Sequence, residues 1–200
     1  MLLFLDTEFT GLSHPAHARK LLSLALVAED DRAQWYAELD GWEPTDCDDW
    51  VQRHVVPLLT GPRLSFDAAR ASLRNWLTAM PRRVQAACDS PIDFHFLLQL
   101  LGERPSNLDA QRHDLAPLID TASYHNTVTA YFSKGHPEHH ALHDARATFV
   151  RCIADGAGDH RAHASDKRSR PPARHGQNYP VIALGRGNWL FVGSLRAGQR

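Results

Sequence analysis

The run Met1-Leu2-Leu3-Phe4-Leu5-Asp6-Thr7-Glu8-Phe9-Thr10-Gly11-Leu12 decides how the rest of the chain is read. Its first five residues are wholly apolar, and a Thr/Gly break closes the run. That pattern describes a short strand buried on both faces. Asp6 and Glu8 then stand at the carboxyl end of the strand and on one side of it, because strand side chains alternate. Two carboxylates aimed at one point repel each other in a low dielectric and need a cation between them. The bland counterpart is a solvated pair at a strand end, and the other acids of the chain decide between the two.

Outward from this run, residues 21–28 read as a second, largely buried strand. Glu29-Asp30-Asp31 is a turn, and residues 33–39 form a third strand that completes a meander. Asp46 or Asp48 caps a helix reaching about Leu59, with Pro57 ending or kinking it. Ser65 opens a clearer helix, with Phe66, Ala69, Leu73, Trp76, Leu77 and Met80 at helical spacing and Pro81 as its stop. Residues 82–88 fit a fourth strand, and residues 92–101 a helix closed by Gly102. Residues 115–119 read as a fifth strand, and 123–135 show little periodicity and are assigned to no element. Pro137 starts a last helix that buries Leu142, Ala145, Phe149 and Ile153. Meander first, then strand–helix alternation, predicts an α/β fold with a mixed sheet flanked by helices.

The 200 residues are 43% hydrophobic, enough for a real core, and the formal net charge of −1 argues against a protein that coats long duplex nucleic acid. Cys47, Cys88 and Cys152 are odd in number and form no CxxC, as expected of reduced thiols in the cytosol. The apolar start is too short for a membrane span and lacks a basic leader, so a soluble, cytoplasmic protein is expected. From residue 156 large apolar side chains nearly vanish until 181. The predicted organisation is a folded domain over 1–155, a disordered linker over 156–180 and a separate tail over 181–200.

Asp6 and Glu8 at the first strand end, Asp93 in the first turn of a helix and Asp144 within the last helix are the acids with notable settings. Strand ends and helix starts at the carboxyl edge of a sheet are where α/β sites form. Acids gathered there suit Mg²⁺ or Mn²⁺, and two such ions clamp the attacking and leaving oxygens of a phosphodiester. A rival metal reading uses His136, His139, His140 and His143 for zinc, but the cluster lacks an HExxH pattern and a neighbouring cysteine. Two adjacent histidines compete for the role of base. Helical residues five apart point about 140° away from each other. His139 therefore reaches the same ions as Asp144 only from a position at or before the helix start. His140, four residues ahead of Asp144, shares its face.

Three stretches carry a resemblance. DTEFTGL at 6–12, SPIDFHFL at 90–97 and HHALHDA at 139–145 resemble, in order and spacing, the three motifs of the DEDDh 3′–5′ exonuclease family. The resemblance covers roughly residues 1–153 and implies a ribonuclease H-like fold. It also implies that Asp6, Glu8, Asp93 and Asp144 hold two Mg²⁺ or Mn²⁺ ions and that His139 is the general base. Thr7, Phe9, Gly11 and Leu12 are implied as substrate contacts. Ser90 departs from the pattern, since many relatives carry Asn there. The implied partner is the 3′ end of a single-stranded nucleic acid, RNA favoured over DNA, with no membrane and with a homodimer possible. VAEDDRAQWYAEL and WVQRHVVPLL further resemble the ribonuclease AS-like exoribonuclease branch. Two rivals stand beside this reading: a DNA exonuclease of proofreading or repair type, and an inactive nucleic-acid-binding relic. ALGRGNWLFVGSLRAGQR resembles a C-terminal piece of insertion-sequence transposases, which implies a fused or read-through remnant, with an independent partner-binding role for the tail as the alternative.

Overall fold

In the computed structural model, residues 1–119 and 121–154 are described, the last four by their backbone alone. The expected linker over 156–180, the tail over 181–200 and the boundary between them and the domain lie outside these residues, as do the side chains of Cys152 and Ile153.

The meander forms as the apolar runs require. Leu2–Phe9 (β1), Leu21–Ala28 (β2) and Gln34–Leu39 (β3) pair antiparallel, with Asp6 opposite Ala25 and Glu8 opposite Ser23. Strand β1 runs on through both acids because its ladder with β2 continues to Phe9, with a register shift between Glu8 and Phe9. Arg63–Leu64 (β4) adds to β3, Gln85–Cys88 (β5) to β1 and His113–Asp114 (β6) to β5, all in parallel. The six-stranded order is β4-β3-β2-β1-β5-β6, so β1 lies inside the sheet between an antiparallel and a parallel neighbour. The expected mixed sheet flanked by helices is the architecture observed.

The helices are Asp49–His54 (α1), Phe66–Thr78 (α2), Pro91–Leu101 (α3), Ala116–Ile119 (α4), Ala122–Phe132 (α5) and Ala141–Ala154 (α6). Helices α2 and α3 bury Leu73, Leu77, Leu97, Leu100 and Leu101 against Leu3, Leu5, Leu24 and Leu26 of the sheet. On the opposite face, α6 lays Ala141, Ala145 and Phe149 over Phe4, Ala25, Val27 and Ala87. A third cluster, Leu22, Trp42, Cys47, Val51, Val55 and Leu59, holds α1 at the sheet end. Among the described residues no helix is long and apolar enough to cross a membrane.

Several expected elements differ, each for a local reason. Residues 115–119 are not a strand: Asp114 accepts from the Ala116 amide at 3.1 Å, and Pro117, without an N–H, suits a first helical turn better than a ladder. Strand pairing stops at Asp114 instead. The unplaced stretch after Ser123 contains α5, capped by Thr121, whose hydroxyl accepts from the Tyr124 amide at 3.2 Å. None of its residues is fully buried, so no apolar stripe marks it in the sequence. Helix α6 begins at Ala141 rather than at Pro137, because His139 has φ +64°, a left-handed conformation incompatible with a right-handed helix. Helix α1 ends at His54, and Pro57 sits in a separate 3₁₀ turn, Val56–Leu58. The fourth strand starts at Gln85, three residues later than expected, with Val84 making only an isolated bridge to Leu108.

Candidate active site

Alternation along β1 aims Phe4, Asp6 and Glu8 at the α6 face, and Leu3, Leu5 and Thr7 at the α3 face. Helix α6 approaches closely because its contacts with the sheet are made through Ala141 and Ala145. That approach carries Asp144 down to the strand end. One carboxylate oxygen each from Asp6, Glu8 and Asp144 lies within 4.8 Å of the others, with Asp6 and Asp144 buried and Glu8 half-buried. Three acids from two distant parts of the chain thus meet at one point. Their donor set is oxygen only, which fits a hard divalent cation such as Mg²⁺ or Mn²⁺ and not zinc.

Asp93 lies just outside that group. Ser90 caps α3 by accepting from the Ile92 amide at 3.1 Å, and Pro91 occupies the first helical position. Asp93 is then set in the first turn, 3% exposed, and accepts a 2.6 Å hydrogen bond from the Thr7 hydroxyl. Thr7 is flanked in sequence by Asp6 and Glu8. Its bond therefore ties the fourth acid to the strand that bears the first two. Ser90, where the family pattern departs, serves here as the cap.

The two histidines occupy different settings. His139 is buried, 8% exposed, and its positive φ turns it inward two residues ahead of α6. A non-glycine residue held in this region costs on the order of 1–3 kcal/mol, which the surrounding packing must offset. Its ring meets Trp50 of α1 edge-on, with centroids 4.7 Å apart. His140 instead stacks on Tyr36 at 4.9 Å, and its carbonyl accepts from the amides of His143 and Asp144 at the helix start. Burial holds the His140 imidazole below its ordinary pKa. Burial, with the neighbouring His140 and His136, pulls His143 down to about 4. Burial and the adjacent Glu38 carboxylate raise the Tyr36 phenol, whose hydroxyl donates to Glu38 at 3.0 Å. His136, His140 and His143 lie ring against ring. Among the described residues they do not offer three ligand atoms to one point.

Of the remaining residues expected at the site, Phe9 packs on Phe96 at 5.4 Å and lies beneath the Arg19 guanidinium at 5.9 Å. Gly11 is buried with φ +126°, and a Cβ there would fall 2.0 Å from an Asp48 carboxylate oxygen, so only glycine fits. Leu12 is half-buried, and its carbonyl accepts from Arg19 at 3.2 Å. Two features went unrecognised in the sequence. One is Trp50 beside His139; its place in WVQRHVVPLL gave an apolar helix face and part of a family resemblance, but no role at the site. The other is a cleft that reaches Asp144 and is lined by Asp89, Tyr124, His125, Val128 and Glu138. It is built largely by α5, the helix without a periodic signal.

No family model matches the chain. Two curated relatives, both described as a 3′–5′ exoribonuclease and coming from two strains of Mycobacterium tuberculosis, are each 35% identical over 71 residues. Those residues are 36% of this chain, and the chain spans about 40% of the length of the curated relatives it matches. Among solved structures, that of cell-death related nuclease 4 (CRN-4) aligns over 78% of this chain and 64% of its own. The identity is 14% and the TM-score 0.44, a likeness too loose to bear on fold or activity.

Proposed function

We propose that this protein is a metal-dependent 3′–5′ exonuclease that removes nucleoside 5′-monophosphates from single-stranded RNA ends. The observation that carries the proposal is the convergence of Asp6, Glu8 and Asp144 within 4.8 Å, with Asp93 bonded to the intervening Thr7 and His139 turned inward ahead of α6. The two curated exoribonucleases support the choice of RNA over DNA.

Asp6, Glu8, Asp93 and Asp144 would hold two Mg²⁺ or Mn²⁺ ions. Such ions, when bound, supply Lewis acidity toward the phosphodiester and acidity toward water. His139 takes the proton from the attacking water as its oxygen bonds to phosphorus. The bond from phosphorus to the 3′ oxygen of the penultimate nucleotide breaks. The terminal residue leaves as a 5′-monophosphate, and the shortened strand ends in a new 3′ hydroxyl. Gly11 keeps the loop after β1 close to α1, and Leu12 and Phe9 border the terminal nucleoside. The catalytic unit ends near residue 155.

Matched RNA and DNA oligonucleotides, labelled at either end and incubated with Mn²⁺ with and without chelator, test this directly. Stepwise shortening of 5′-labelled RNA, immediate release of 3′-labelled monophosphate and silence with chelator are expected. Faster loss of DNA shifts the substrate to the proofreading or repair class. Cutting of a circular strand removes the exonuclease assignment.

A further inference from the structure

Helix α1 is joined to the proposed catalytic centre in two ways. At its start, the Asp48 amide donates to the Thr10 carbonyl at 2.9 Å, and the Asp48 carboxylate caps the helix by accepting from the Val51 amide at 2.9 Å. The other oxygen of that carboxylate accepts from the Ser13 hydroxyl at 3.3 Å and lies against Gly11, where no Cβ fits. The helix is thereby locked to the loop that leaves β1 directly after Asp6 and Glu8. Val51 and Val55 anchor its inner face in the apolar cluster with Leu22 and Trp42.

Trp50 projects from this locked helix to His139, with ring centroids 4.7 Å apart and planes at 80°. The exposed ring of His54 stacks on Trp50 at 4.8 Å, and its Nδ1 lies 2.9 Å from the Trp50 carbonyl. The indole is thus held by His54 on its face while it meets His139, and the His54 ring itself lies 6.5 Å from the His139 ring, edge-on at 78°. An imidazole on a left-handed backbone position ahead of the helix takes its orientation from the groups packed around it. Trp50 is a rigid aromatic wall among those groups, and edge-on aromatic contacts have a preferred geometry.

We propose that Trp50 is a positioning residue for His139, fixing the imidazole that the exonuclease reading makes the general base. This proposal rests on that reading for its kinetic consequence but not for its structural one. A small displacement of a catalytic group costs up to about a hundredfold in rate. Trp50→Ala is therefore expected to lower kcat about tenfold to a hundredfold, with KM changed by less than roughly twofold. Trp50→Phe, which keeps an aromatic wall, is expected to restore most of the rate. Trp50→Leu keeps bulk without the ring and serves where the alanine variant does not fold.

The deciding measurement is a double-mutant cycle with His139→Ala. If Trp50 acts through His139, its removal costs nothing further once His139 is gone. Additive losses overturn the proposal, and so does a rise in KM with kcat unchanged, which would make Trp50 a substrate contact. A second readout needs no activity: side-chain couplings of His139 by NMR. They are expected to report one χ1 rotamer in the wild type and Trp50→Phe, and averaging in Trp50→Ala or Trp50→Leu. A single rotamer throughout overturns the proposal. Should the wild type release no nucleotide, the exonuclease reading falls, while the rotamer measurement still decides whether Trp50 fixes His139.

Discussion

The two faces of the sheet are built from different materials. Under α2 and α3 the face is thick and apolar, with Leu3, Leu5, Leu24, Leu26, Leu73, Leu97 and Leu100 all buried. Under α6 it is thin: Ala25, Ala87, Ala141 and Ala145 set a close approach, and buried polar groups share the space. Ser23, Glu38, Asp6 and Asp144 belong to this side. Burying such groups costs free energy that apolar packing must offset. The thick face therefore holds the domain together, and the thin face spends part of that stability on placing carboxylates. The difference teaches that most of the stability rests on one face and three of the four candidate acids on the other, with Asp93 of α3 as the exception.

The sharpest way to break this division is at Asp144. Asp144→Asn keeps the volume and removes the charge, so it should nearly abolish hydrolysis while leaving the melting temperature equal or higher, because repulsion among the acids is relieved. Calorimetry beside a nucleotide-release assay checks both parts, and a large fall in melting temperature would show that the polar face also bears the fold.

Next in size is the histidine pair. Loss of a general base typically costs on the order of a hundredfold to ten-thousandfold, which is the expectation for His139→Ala. His140→Ala should stay within about tenfold of wild type, since its ring stacks on Tyr36 and stands apart from Trp50. Steady-state rates of the two variants compare them directly, and the reverse order would move the base to His140.

On the thick face the effect should fall on stability alone. Leu97→Ala removes a fully buried side chain of α3 and should cost about 2–5 kcal/mol in denaturant unfolding, with kcat per folded molecule unchanged. A proportionate loss of kcat would mean that α3 packing sets the position of Asp93.

The smallest effect belongs to pH. His143 has its pKa depressed from 6.5 to about 4, chiefly by burial. Below 6.5 the unfolded chain binds a proton that the folded chain resists, so stability falls as pH drops from 6.5 toward 4. His143→Gln should flatten that part of the curve for the metal-free protein. An unchanged slope would place the pH sensitivity elsewhere.

Legibility in the sequence follows the same division. The meander was readable because its runs are largely apolar, and β2 falls at residues 21–28 as expected. Ser65 and Asp93 were readable because a cap and a first-turn acid carry local signals. Helices α4 and α5 were not, since the Asp114 cap beside Pro117 competes with a strand-like run, and α5 buries no residue fully. The candidate site was legible as a set of acids, and Asp6, Glu8 and Asp144 lie within 4.8 Å of one another. Their surroundings were not. The Trp50 contact with His139 joins residues far apart in the chain, and the Thr7 bond to Asp93 depends on a helix arriving from elsewhere. A sequence pattern records periodicity and caps, whereas such contacts exist only once the elements have packed.

The placement of α6 also fixes an order of events during biosynthesis. The β1–β3 meander is made of neighbours in sequence, and such local pairings form early because little loop entropy opposes them. Asp144 stands at the other end of the described chain and reaches Asp6 only when α6 docks. Synthesis proceeds from the N-terminus, so a nascent chain that has not yet extruded Asp144 carries the meander and its two first acids as an incomplete cluster. The cluster closes only near the end of this region's emergence from the ribosome, when α6 docks on the sheet.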